Sequence, residues 1–328
     1  MRVRIERAVL DAPHQFGRAI SAIVDCFERG KHRWVIDDLE DILSSVWIQS
    51  AASWDASKEL AEKLFREALD EPTGQAPARL VVVAVAAAQA TAAAADVFIC
   101  AVEDARRILD HPLHVVLENA TSDWCFLRAL VAAFGRTRLS DAIARSWVVP
   151  DQAGGSGELV KRVRALAAQG QAPWRIAVLM DSDRLRPGPP PPVTDEREQE
   201  LRRMGATPIV LHKREVENYL PGSLLDSKRT HDVYVSWRSL TPEQQDHYDM
   251  KHGFSRDRQT GEVVIAEDQR DLFSGTNPWH LDRLVGGFGK SIGERFDGAQ
   301  IDRAELDAVC ASRPGELDGL LQTLEDLL

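Results

Sequence analysis

The chain has 328 residues, 44% of them hydrophobic, and its 40 Lys and Arg against 51 Asp and Glu give a formal net charge of −11. That length and apolar content suffice for one large core or two ordinary ones and exclude a disordered chain. The acidic balance excludes a surface coated in nucleic-acid-binding charge, because such binding needs Lys and Arg to displace counterions, but it leaves room for a local basic groove.

Four widely spaced cysteines, Cys26, Cys100, Cys125 and Cys310, form no CxxC pair, so neither a zinc spacing nor a disulfide framework is expected. The opening stretch MRVRIERAVLDAPHQF has no apolar core of signal-peptide length, and a reducing, cytoplasmic setting is expected.

From about residue 13 to 110 the apolar spacing of three and four in FGRAISAIVDCF, WVIDDLEDILSSVW and ASKELAEKLFREAL predicts helices. EPTGQAPAR breaks the pattern with two prolines and a glycine. The run from Leu80 to Val102 that follows is Ala-dominated and interrupted by Gln89, Thr91 and Asp96. It reads as a buried helix rather than a membrane span, since Ala contributes little to insertion. Residues 1–111 are therefore expected to form an all-helical N-terminal domain in which no chemistry is visible.

At His114 the character changes. Short β-rich runs, HVVLE, SWVVP, RIAVLMD and TPIVLH, alternate with the amphipathic stretches SDWCFLRALVAAF, SGELVKRVRALAAQ and DEREQELRRMG. This alternation predicts an α/β domain over residues 112–222, with a mostly parallel four-stranded sheet flanked by helices. GPPPP, from Gly188 to Pro192, reads as a stiff loop beside the third strand's end or as a plain surface linker. Residues 223–328 read as a helical C-terminal extension, with helices around LTPEQQDHYDM, WHLDRLVGGF and ELDGLLQTLEDLL.

Acidic residues stand at the ends of the apolar runs: Glu118 after HVVL, Asp181 and Asp183 after RIAVLM, and Glu217 after TPIVLHKREV. In a parallel sheet the loops at the strands' carboxyl ends gather at one edge, so distant acidic residues can meet there. Clustered oxygen ligands suit Mg²⁺ or Mn²⁺ and, through them, phosphodiester chemistry. In an extended DSD both carboxylates would face the crevice while Ser182 turns aside. Glu215 competes with Glu217, because either could face the crevice from an extended backbone. Asp123 has two readings, a metal ligand or, with Ser122 as the rival, a cap on the following helix. Between Lys161 and Arg214, 11 basic residues face 6 acidic ones, which reads equally as a local groove or as solvated helix faces.

HVVLENATSD, VLMDSDR and KREVENYLP together resemble the Toprim domain, in particular the branch found in OLD-type (overcoming lysogenization defect) nucleases and related bacterial defence proteins. The resemblance covers about residues 112–222, and VENYLP is close to the IENYL pattern of that branch. It implies a metal-dependent nuclease acting on DNA or tRNA, with Glu118, Asp181, Asp183 and Glu217 holding two Mg²⁺ or Mn²⁺ ions. It also implies an antiviral effector that works as an oligomer or complex, controlled by a partner such as a separate ATPase. The chain departs from the family pattern at Asn119, where glycine is usual, and at Asp123, which lies one position late. OLD-type nucleases use a lysine beyond the Toprim core, and Lys251 and Lys290 both lie in Gly-bearing turns. Lys290 is preferred.

GGFGKS fails as a nucleotide-binding loop, since Leu284 stands where that pattern needs its first glycine. His212 reads as a phosphate contact or as a satisfied strand-end histidine, and His247 and His252 lack a zinc spacing. Two other readings stay open. One is a primase- or topoisomerase-type enzyme, for which only Tyr219, Tyr234 and Tyr248 could serve as a nucleophile. The other is a catalytically silent binding or scaffold protein.

Overall fold

The structure, a computed structural model, describes residues 1–50, 54–69, 80–85, 91–94 and 97–328. The chain divides into two compact units, one of residues 1–113, 145–147 and 323–328, the other of residues 114–144 and 148–322.

The first unit is built on a sheet. Strands β1 (Arg2–Ile5), β2 (Arg33–Trp34), β3 (Leu80–Ala84), β4 (Thr91–Ala94) and β5 (Val97–Ala101) lie in the order β2-β1-β3-β5-β4, and every pairing is parallel except that of β4 with β5. Helices Pro13–Glu28, Trp54–Leu69 and Val102–Asp110 accompany it. This corrects the expectation of an all-helical N-terminal domain, and that of a helix over Leu80–Val102. Val81 and Val83 are buried while Leu80 and Val82 are half-buried, an alternation of period two. Consecutive β-branched valines with stiff χ1 fit a pleated surface better than a helix. EPTGQAPAR lies outside the described residues. Among the described residues no helix is long and apolar enough to cross a membrane.

In the second unit strands β6 (Leu113–Leu117), β7 (Val148–Gln152), β8 (Ile176–Met180) and β9 (Thr207–Val210) form a four-stranded sheet in the order β7-β6-β8-β9, with β8 parallel to both its neighbours. Every residue of β8 is buried, as expected of a central strand covered on both faces. On one face Val116, Ile176, Val178 and Met180 pack with Leu159, Val163, Leu166 and Leu201 from helices Leu159–Ala168 and Pro192–Arg203. Phe126 of helix Ser122–Ala133 belongs to a second cluster and meets the rings of Tyr219 and Phe296, centroids 5.5 and 5.2 Å away.

Strand order sets the site. From β6 the chain moves outward to β7, then returns across β6 to β8 and continues outward to β9, so connections leave β6 and β8 in opposite directions. The crevice between the carboxyl ends of two such strands is where open α/β sheets bind ligands. Residues 223–322 belong to the same unit as this sheet. They contribute helices such as His231–Arg238 and Pro242–His247 and a short antiparallel hairpin of Ser255–Arg256 with Val263–Val264.

Candidate metal centre

Glu118 follows β6 and Asp181 follows β8, which places them side by side at the crevice; the Asp181 N–H donates to Glu118 Oε1 at 3.2 Å. Beyond β8 the chain is tied to the stretch after β9. Asp181 Oδ1 accepts from the Val216 N–H at 2.9 Å, Ser182 Oγ donates to the Lys213 carbonyl at 2.7 Å, and the Asp183 N–H donates to the Arg214 carbonyl at 3.0 Å. These bonds bring Glu215 and Glu217 to Asp181. Carboxylate oxygens of Asp181, Glu215 and Glu217 lie within 4.8 Å of one another, in a group that could hold a metal ion.

Glu215 and Glu217 face the same way because the backbone changes conformation between them. Glu215 is extended and caps the short 3₁₀ turn Val216–Tyr219 on which Glu217 sits. The Met250 N–H donates to Glu215 Oε1 at 2.7 Å. Glu217 is hemmed in by Gly293, where a Cβ would stand 2.6 Å from Glu217 Oε1 and 2.8 Å from Ser122 Cβ. Its side chain is only 2% exposed, and Oε2 has no aligned hydrogen-bond partner.

Asp183 does not extend the strand. Its φ of 54° puts it in the left-handed region, which Asp tolerates better than most residues. The extended DSD expected from the sequence is broken there, and Asp183 sits exposed at the rim while Ser182 is buried. Arg214, beside it, pairs with Asp249 at 2.9 Å. Asp123 is buried and turned back on its own loop, where Oδ2 accepts from the Asn119 N–H at 2.8 Å and Oδ1 from Ser122 Oγ at 2.9 Å. It lies in the first turn of its helix, whose N-cap is Thr121.

A lysine faces these acids. Lys251 Nζ lies 3.2 Å from Glu215 Oε2 and 3.1 Å from Glu217 Oε2. Lys290, preferred in the sequence reading, is exposed and makes none of these ion pairs. The Gly-rich segment that precedes it serves as a backing strap. The Phe288 and Gly289 N–H groups donate to the Met250 and Lys251 carbonyls at 2.8 and 3.1 Å, and the Gly286 N–H donates to the Phe254 carbonyl at 3.1 Å. Gly253, at φ 60°, fits only because it lacks a side chain: a Cβ there would stand 2.1 Å from the Leu284 carbonyl oxygen. The Gly signals near both lysines were readable in the sequence, but which lysine the strap presents was not.

The electrostatics are those of crowded acids short of counter-charge. Burial, then the Asp183 charge, pushes Glu118 up to about 7. Burial also takes Glu215 to about 7 against the pull of Lys251. Asp181 is raised well above the usual carboxylate range by loss of solvent and by Glu118, and burial raises Asp123. Burial alone would lower Lys251, but Glu215 and Glu217 reverse it and raise its pKa.

Behind the crevice Lys213 forms a buried ion pair with Asp246, and Tyr219 Oη donates to Glu316 at 2.7 Å. His212 bonds Arg313 at 3.2 Å through Nδ1, away from the acidic group. The metal-capable group contains neither His nor Cys among the described residues. Such an all-oxygen set fits a hard divalent cation. Against known protein families, curated proteins and solved structures the chain shows no match.

Proposed function

We propose that the chain is a Mg²⁺- or Mn²⁺-dependent nuclease of the Toprim type that hydrolyses phosphodiester bonds of DNA or tRNA. The observation that carries this reading is the group of Asp181, Glu215 and Glu217 at the switch point of a parallel sheet, its oxygens within 4.8 Å of one another. Asp181, Glu215 and Glu217 would hold the ion, and Glu118, bonded to the Asp181 N–H, and Asp183 would serve a second ion or the water. A bound divalent cation supplies activation of water and neutralisation of phosphate charge.

The chain's own groups define the rest. Glu118, at about 7, is suited to exchange a proton near neutral pH. Lys251, and Arg214 beside Asp183, supply positive charge for a phosphate. The surrounding carboxylates disfavour indiscriminate binding of duplex nucleic acid, so a shaped, restricted substrate fits better. From the resemblance the proposal takes a toxic antiviral effector, cytoplasmic, held in check by a partner or assembly.

The test is incubation of plasmid DNA and total tRNA with the purified chain and Mg²⁺ or Mn²⁺, beside an Asp181→Ala, Asp183→Ala double variant. Metal-dependent cleavage that disappears in the variant is expected, and names the substrate. Mn²⁺ binding with both nucleic acids left intact, even alongside candidate ATPase partners, would favour the silent binding protein. Asp123, whose carboxylate is taken up by Asn119 and Ser122, is the feature that favours that second reading.

A further inference from the structure

The carboxylates best placed for a metal are already held by a cation that the chain itself supplies. Lys251 Nζ contacts Glu215 Oε2 and Glu217 Oε2 at 3.2 and 3.1 Å, two of the three residues whose oxygens form the metal-capable group. A Mg²⁺ or Mn²⁺ ion takes such oxygens at about 2.0–2.1 Å, so an ion on this pair would stand within a few ångströms of the ammonium. Two cations cannot share the pair at that distance without strong repulsion.

The structure shows which partner is able to move. The Glu215 and Glu217 side chains are 9% and 2% exposed, whereas that of Lys251 is 27% exposed. Glu215 is fixed by the Met250 N–H and Glu217 by the close approach of Gly293. Lys251 is anchored at its backbone by the glycine strap and at its Nζ by the two glutamates, and its flexible four-carbon stem lets that tip move once the ion pairs are broken. Glu217 Oε2 is buried and meets the Lys251 ammonium at 3.1 Å, a charge contact of the kind that a divalent cation replaces.

We infer that Lys251 is the resident counter-ion of the metal-free protein, and that its ammonium and a divalent cation are alternative occupants of the Glu215–Glu217 pair. Binding of the metal expels Lys251 toward the rim, where the same ammonium becomes free to meet a phosphate. Loading the metal and presenting the lysine are then one event. This inference rests on the metal reading of the site.

The test measures Mn²⁺ affinity by titration calorimetry and by the electron paramagnetic resonance of free Mn²⁺, on the full chain and on Lys251→Met and Lys251→Arg. Lys251→Met is expected to bind Mn²⁺ at least tenfold more tightly than wild type, and Lys251→Arg no more tightly. In the wild type, acetylation of Lys251 followed by mass spectrometry is expected to speed up several-fold when Mn²⁺ is added. This second readout holds even if Lys251→Met folds only with metal, which would itself agree with exchange. Wild type that binds Mn²⁺ while Lys251→Met binds equally or more weakly, with Lys251 labelling unchanged, overturns the exchange and leaves the metal site standing. Absence of Mn²⁺ binding to both proteins overturns the metal reading, and the exchange with it.

Discussion

Replacing Glu118 by Gln should stabilise the metal-free protein, and by an amount set by pH. The folded-state pKa of Glu118, about 7, lies above its ordinary 4.5. The folded chain therefore keeps this proton longer than the unfolded chain does, and the group's contribution to stability falls as pH rises from about 4.5 to 7, then levels off. At about 1.4 kcal/mol per pH unit, that displacement corresponds to about 3 kcal/mol lost by the wild type at pH 8 relative to pH 4.5. Gln stays neutral throughout and can still accept the Asp181 N–H. His247 confuses a scan of the wild type alone: burial lowers it to about 4, so stability from this residue rises with pH over much of the same window. The difference between Glu118→Gln and wild type cancels that term. Thermal melts in the presence of a chelator at pH 4.5, 6 and 8 should show the variant gaining about 6–12 °C on the wild type across the range, at about 2–4 °C per kcal/mol for a unit of this size. A difference that stays flat with pH would refute the desolvated, charge-crowded environment assigned to Glu118.

Two further outcomes test the packing around the centre. Gly293→Ala should cost about 1–3 kcal/mol in urea denaturation, as overpacking does, and should weaken Mn²⁺ binding, because the added Cβ falls 2.6 Å from Glu217 Oε1. Asp246→Ala leaves the Lys213 ammonium buried, its side chain 4% exposed, and should cost about 3–5 kcal/mol by the same assay. A Lys213→Met, Asp246→Leu double variant should recover most of that loss.

How legible each part was depended on how local its cause is. β6, β8 and β9 could be read because each is a short apolar run that ends at a turn, as HVVL, RIAVLM and TPIV do. LVVVA is just such a run, yet its alanine-rich continuation drew the reading to a helix. Short apolar runs are ambiguous by periodicity, and the three consecutive valines carried the better signal. Glu118 and Asp181 lie where strand ends place them. Asp183 departs because one left-handed dihedral, invisible in the DSD spelling, turns it to the rim. Glu215 and Glu217 both face the crevice because an extended residue passes directly into a 3₁₀ turn. Lys251 rather than Lys290 meets the acids because a glycine strap closes on its loop from more than thirty residues away, a pairing no local pattern announces.

The chain order of the centre has a consequence for synthesis. Glu118, Asp123, Asp181, Asp183, Glu215 and Glu217 all leave the ribosome before Lys251, and the strap that positions Lys251 follows only at residues 284–289. Until that length has emerged, a closing sheet would bring Glu118, Asp181, Glu215 and Glu217 together without their ammonium. Protonation or a captured cation must stand in, or the sheet must wait. A truncated or half-made chain ending before residue 251 thus carries the acids but not the group that balances them.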